Sequence, residues 1–354
     1  MMVAMVNKAV RNEFSRMGIS YTLFGVIATA AQSVVLFAIV FFMTFRSMAL
    51  YGNVTNESFS ITSDSTFLIV LSMITMYLVA FPILYLMIRK LKPYPPERHA
   101  LGFGRGMLLF VIGICAMMAG ALIGNMVSYG ISSLTGAEIS NSTIDAIAEM
   151  DPVPTILVSV IIGPVMEELM FRKFLIDRLR IFGEKKIMVL SALMFALFHT
   201  NVYQFFYAFL LGLVLAYIYL RTGRIRYTIF FHMLINFLFG AVPMLFLADT
   251  TEAAALLEQG DLSALTPGLV AAIVFSLLQY GLALVGLILF FMNIKRAVFQ
   301  PQPYEIPKGL GFKTVYLAPG IALFIIAYIV LTAASILMEV IPPPDLTQQF
   351  EFLP

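Results

Sequence analysis

Residues 163–175 read GPVMEELMFRKFL, which places two adjacent carboxylates and a guanidinium inside an otherwise apolar stretch. On a helix, Glu168 and Arg172 stand i and i+4 on one face and can pair locally. Glu167 lies about 100° around the helix axis and is not consumed by that pair. Further along, Phe195 and His199, and then His232 and Asn236, repeat the i, i+4 spacing. A glutamate removed from water is a stronger base than one in solution. Beside a histidine it can hold and deprotonate a water. A His and an Asn on one helix face can donate hydrogen bonds to the oxyanion that forms when that water attacks a carbonyl. Water, base, oxyanion donors and an enclosed site together describe amide hydrolysis. No side-chain nucleophile is needed: Ser191 is two turns from His199, and Cys115, the single cysteine, lies in a different apolar run.

The elements that must position these residues follow from composition. The 354 residues are 60% hydrophobic and 12% charged, with a mean hydropathy of +0.94. Soluble domains carry about a quarter charged residues, so the chain reads as an integral membrane protein. It reads as an all-α polytopic helix bundle, because the alternating polarity of a transmembrane barrel is not seen. The net charge of +2 gives no reason to expect nucleic acid as a partner. Stretches long enough to cross a bilayer predict about nine spans, with eight to ten compatible: 19–45, 66–89, 105–131, 153–180, 187–200, 203–220, 226–247, 267–292 and 313–340. The fifth is short and expected to be recessed.

Lys and Arg cluster before the first span, after the second (Arg89, Lys90, Lys92, Arg98, Arg105), around the end of the fourth, after the sixth (Arg221, Arg224, Arg226) and after the eighth (Lys295, Arg296, Lys308, Lys313). The other connections hold only Arg46. That alternation predicts a cytoplasmic N-terminus and an external C-terminus. The expected organisation is a cytoplasmic amphipathic segment (1–18), three flanking spans (19–152), a core carrying the polar motifs (153–247), an external loop with the last spans (248–340), and an external tail (341–354). The first span reads as an uncleaved anchor, residues 252–266 as a short external helix, and the tail lacks a CaaX box. Triplets at Asn53, Asn56 and Asn141 match glycosylation acceptors on the external side.

A charge near the bilayer centre costs several kcal/mol, so Glu167, Glu168, Arg172, His199, His232 and Asn236 need a reason to be there. At about 1.5 Å per residue, the glutamates lie roughly 18 Å above the cytoplasmic end of their helix. His199 lies about 20 Å above Lys186, and His232 and Asn236 about 9 and 15 Å above Arg226. These depths allow one cavity open to the cytoplasm. Pro164 should kink the fourth helix there and free a carbonyl.

Other readings use the same residues. Polar groups in membrane helices often serve only as glue between them; six of them at overlapping depth favour a site. Glu167, His199 and His232 could instead hold a catalytic zinc with water in the fourth position. Asn236, a poor zinc ligand and a good oxyanion donor, and the absence of HExxH favour a mechanism with no cofactor and leave zinc as the alternative. A non-proteolytic immunity factor or scaffold is the third reading. A carrier is disfavoured, since the polar cluster has no echo in a second half.

The ordered set EExxxR (Glu167, Glu168, Arg172), FxxxH (Phe195, His199) and HxxxN (His232, Asn236), with Thr222-Gly223 before the last motif, resembles the CAAX-protease and bacteriocin-processing family, which includes the type II CAAX prenyl endopeptidases. The resemblance covers residues 153–240. It implies a glutamate-dependent intramembrane protease with Glu167 as base, His199 helping to hold the water, and His232 and Asn236 as the oxyanion site. Glu168, Arg172 and Phe195 take supporting roles. It further implies a membrane-associated peptide or protein substrate and a multi-pass protein of a bacterial plasma membrane, with its site facing the cytoplasm.

Overall fold

The computed structural model describes residues 2–53, 64–136, 152–246 and 265–341, together with 250, 253 and 256–260. Among the described residues the regular structure is helical, with no strand. Nine helices follow the nine predicted spans: α1 (Met2–Tyr51), α2 (Ser65–Ile88), α3 (Phe103–Thr135), α4 (152–182), α5 (Glu184–Phe198), α6 (Val202–Thr222), α7 (Ile225–Met244), α8 (Pro267–Arg296) and α9 (Pro319–Val340). The triplets beginning at Asn56 and Asn141, the last two residues of the one at Asn53, part of 252–266 and the tail beyond 341 lie outside the described residues.

Among the described residues, seven of the nine are long and apolar enough to cross a membrane by length and composition; α4 and α5 do not reach that measure. The difference from nine has a physical origin. Helix α4 spends positions on Glu167, Glu168, Arg172, Lys173, Asp177, Arg178 and Arg180. Helix α5 has 15 residues, about 22 Å of rise against a hydrocarbon layer of about 30 Å. These two helices carry the glutamates and lead to His199. Segment 1–18 is not separate from the first span: α1 runs unbroken for 50 residues, with no proline to stop it.

Proline shapes three of the helices in one way. In α2, α4 and α7 a π turn (Thr75–Ala80, Leu157–Ile162, Phe237–Ala241) is followed, one residue later, by Pro82, Pro164 or Pro243. The residue before each proline donates its N–H five residues back: Phe81 to Met76, Gly163 to Val158, Val242 to Phe237. The next carbonyl, of Tyr77, Ser159 or Leu238, then has no helical partner, because the residue five positions on is a proline without an N–H. In a membrane such a carbonyl must find a donor inside the protein. Asn236 Nδ2 donates to the Ser159 carbonyl at 2.8 Å, and Gln279 Nε2 to that of Leu238 at 3.4 Å. A further π turn in α4, Leu169–Phe174, sends the Leu175 N–H to the Met170 and Arg172 carbonyls. The Phe171 carbonyl accepts instead from the Ser191 hydroxyl at 2.7 Å, and Tyr21 of α1 donates to Met170 at 2.5 Å.

Small residues let the helices approach, as is usual where apolar burial alone does not drive association. At the α1–α9 crossing, a Cβ on Gly18 would overlap the backbone of Gly320, and one on Gly320 would overlap the Ser15 carbonyl. Gly212 of α6 brings Ala192 and Phe195 of α5 within 3.2 Å of where its Cβ would be. At the α4–α5 turn, buried Glu184 pairs with Arg221 and with Arg180 (3.7 Å) and accepts the Gln300 N–H at 2.8 Å. This anchors the start of the short helix α5.

The crossing predicts that Gly320→Leu lowers the melting temperature of the detergent-purified protein, with an overpacking cost of about 1–3 kcal/mol. Gly130→Leu, whose added side chain meets open space, does not lower it.

Candidate functional site

The π turns on either side of Gly163–Glu168 set the rotation of the α4 segment that carries the carboxylates. Glu168 is fully buried, and its two oxygens are taken by different helices. Oε1 accepts from His232 Nδ1 of α7 at 3.0 Å, and Oε2 lies 3.3 Å from Arg172 Nε one turn along α4. The i, i+4 pair expected from spacing therefore forms. A carboxylate can only accept at Oε1 once ionised, so His232 carries a proton on Nδ1. The opposite nitrogen, Nε2, faces Glu167 Oε2 at 3.6 Å. One imidazole thus stands between the two adjacent glutamates, and Glu167, unlike Glu168, keeps partial exposure (17% of its side chain).

His199 is the C-terminal cap of α5, at the point where that helix stops short. Its Nδ1 lies 2.9 Å from the Phe195 carbonyl. A carbonyl only accepts, so this nitrogen is protonated and Nε2 is left for other partners. Phe195 links three of the motif residues. The Arg172 guanidinium lies 4.5 Å over its ring, while the His199 and His232 rings meet it edge-on at 4.9 and 5.7 Å. Arg172 is fully buried, and its nitrogens make no hydrogen bond among the described residues, so its contact with Glu168 is one of charge. Its charge is balanced by Glu168 and by the face of Phe195.

The structure thus brings Glu167, Glu168, Arg172, Phe195, His199 and His232 into one cluster, with Asn236 one turn beyond His232. Asn236 uses one N–H on the Ser159 carbonyl, so one of its two donors remains for another acceptor. Three further residues were missed from the motifs. The Ser159 carbonyl holds Asn236 in place; Pro164 signalled a freed carbonyl in this turn but not which one. Tyr77 of α2 and Tyr207 of α6 both lie in the electrostatic field of Glu167, and Tyr77 likewise lies five residues before a proline. Ser191 has a structural task on the α4 backbone. Among the described residues no three His, Cys, Asp or Glu side chains are grouped as a metal ion requires. The ligand set of the zinc alternative is therefore present as the Glu167–His232 pair, without a gathered third donor.

These features define an integral membrane helix bundle with a buried cluster of carboxylates, imidazoles and a guanidinium. Residues 149–238 match the model of a protease family, described as type II CAAX prenyl endopeptidase, Rce1-like. That segment contains all three motifs, so the resemblance drawn from them holds over this part of the chain. No curated protein and no solved structure gives a match.

Removing one partner of a buried ion pair leaves the other uncompensated, at a cost of about 3–5 kcal/mol. Arg172→Ala is accordingly expected to lower folded yield and melting temperature sharply. Adding Glu168→Gln to that variant restores part of the loss, measurable in a double-mutant cycle of melting temperatures.

Proposed function

We propose that the protein is a glutamate-dependent intramembrane endopeptidase acting on a membrane-associated peptide or protein. The observation that carries this reading is the division of labour between the two glutamates. Glu168 is consumed by Arg172 and His232, whereas Glu167 remains partly exposed, with His232 Nε2 at 3.6 Å as its ion-pair partner among the described residues. The Rce1-like match over the same residues supports it.

In the reaction, Glu167 takes a proton from a water whose oxygen attacks the scissile carbonyl carbon, and the carbonyl electron pair moves onto oxygen. His199 helps hold the water. His232, carrying a proton on Nε2 as well as on Nδ1, and the second N–H of Asn236 donate to the oxyanion. Collapse re-forms the carbonyl and breaks the C–N bond, and the proton held by Glu167 passes to the departing amine. The products are a carboxylate and an amine, with no covalent intermediate on the protein. Arg172 and Phe195 keep Glu168 and both imidazoles in register. The Lys and Arg pattern supports a cytoplasmic N-terminus and a site open to the cytoplasm.

New peptide termini in membranes from cells carrying wild type or Glu167→Gln, at matched expression, test the reading. Loss of a general base costs about 100- to 10,000-fold, so termini specific to wild type should disappear in a variant that still folds. Termini that persist unchanged would remove Glu167 from the role of base, and identical profiles without any cleavage would favour an immunity or scaffold role. Cleavage is also expected to survive dialysis against a zinc chelator; loss of cleavage that returns with added zinc would establish the metal-dependent alternative.

A further inference from the structure

Tyr77 occupies the midpoint of α2, inside the π turn Thr75–Ala80. It is 8% exposed, and its hydroxyl is completely buried with no hydrogen-bond partner among the described residues. Helices α2 and α4 run side by side: the first half of α2 packs on the start of α4, Phe81, one turn on from Tyr77, meets Phe174 with ring centroids 5.3 Å apart, and Arg178 Nε donates to the Ile88 carbonyl at 3.1 Å, which sets Tyr77 at the level of α4 that carries the glutamates. The backbone adds a second anomaly. The Tyr77 carbonyl is the one freed by Pro82, and unlike those of Ser159 and Leu238 it is met by no side-chain amide among the described residues. A buried donor left unmade costs about 1–3 kcal/mol, and π turns of this kind are frequent at functional positions.

The partner must be polar, and the protein groups nearby are already committed. Glu168 is held by Arg172 and His232, and His199 Nδ1 by Phe195. A buried water needs two to four polar partners. Between Tyr77 and the partly exposed Glu167 carboxylate it would find two of them.

We propose that the Tyr77 hydroxyl donates a hydrogen bond to the water that Glu167 deprotonates, and that Tyr77 is therefore a catalytic residue of this site. The proposal rests on the reading of Glu167 as base. The geometry it requires is chemically complete. The water directs one hydrogen at Glu167, accepts from Tyr77 with one lone pair, and attacks with the other. The phenol remains neutral throughout and transfers no proton, so the balance of the hydrolytic step is unchanged. Its effect is to fix the direction of the attacking lone pair.

Tyr77→Phe tests this because it keeps the ring that packs and removes only the oxygen. The assay uses purified protein in detergent and a synthetic peptide spanning a cleavage site mapped from the wild-type-specific termini. The expected result is a fall in kcat of about tenfold or more, the worth of one hydrogen bond to the reacting atoms, with KM unchanged. The melting temperature stays level, since the ring that packs is kept. Parallel losses of kcat and melting temperature would make Tyr77 a packing residue and overturn the proposal. Full kcat in Tyr77→Phe beside an inactive Glu167→Gln would overturn it and leave the base assignment standing. Full activity in Glu167→Gln, or no wild-type-specific cleavage at all, would overturn the base assignment, and the Tyr77 proposal with it.

Discussion

A fully buried carboxylate, Glu168, organises the centre of this bundle. An ion removed from water must be compensated by charge and by hydrogen bonds of good geometry. Here Arg172 supplies the charge from one turn away, and His232 supplies the hydrogen bond from another helix. Because Arg172 is itself buried, it needs more than one partner, and the Phe195 ring at 4.5 Å provides the second. Phe195 then contacts both imidazoles. Satisfying one carboxylate therefore locks α4, α5 and α7 together, and leaves its neighbour Glu167 without a fixed counter-charge.

The backbone obeys the same requirement. With no water in the hydrocarbon layer, each carbonyl released from the helical ladder must be caught by the protein. The π turns release carbonyls at defined places, and the side chains that catch them tie one helix to the next: Asn236 joins α7 to α4, Ser191 joins α5 to α4, Tyr21 joins α1 to α4, and Gln279 joins α8 to α7. Three of these four bonds end on α4. The helix that bears the carboxylates is thus the most cross-linked through side chains, which suits a site whose geometry has to hold to fractions of an ångström. Asn236 has a double part in this scheme, since the bond that orients it is also the bond that repairs the Pro164 break.

Much of this was legible in the sequence. The helical class follows from apolar runs of bilayer length, as do the seven helices that are long and apolar enough to cross it among the described residues. The Glu168–Arg172 pair, and the shared faces of Phe195 with His199 and His232 with Asn236, follow from the i, i+4 period. The freed carbonyl near Pro164 was legible in kind, but its position was not. A simple kink frees the carbonyl four residues before the proline, whereas the π turn shifts the vacancy to Ser159. The continuity of α1 through residue 18 was also missed, because charge marks where a helix leaves the membrane, not where it ends.

Local order along the chain therefore determined the helices, the polar residues they carry and which of those share a face, because helical periodicity acts over three or four residues. Only the tertiary structure decided that His232 stands between the two glutamates, that Phe195 carries Arg172, and that Asn236 closes the gap at Ser159. Those contacts join residues that the one-dimensional pattern leaves about 25 to 80 positions apart. Helix rotation and depth select them, and both are set by packing between helices and by the π turns, whose half-turn offsets the apolar pattern does not record.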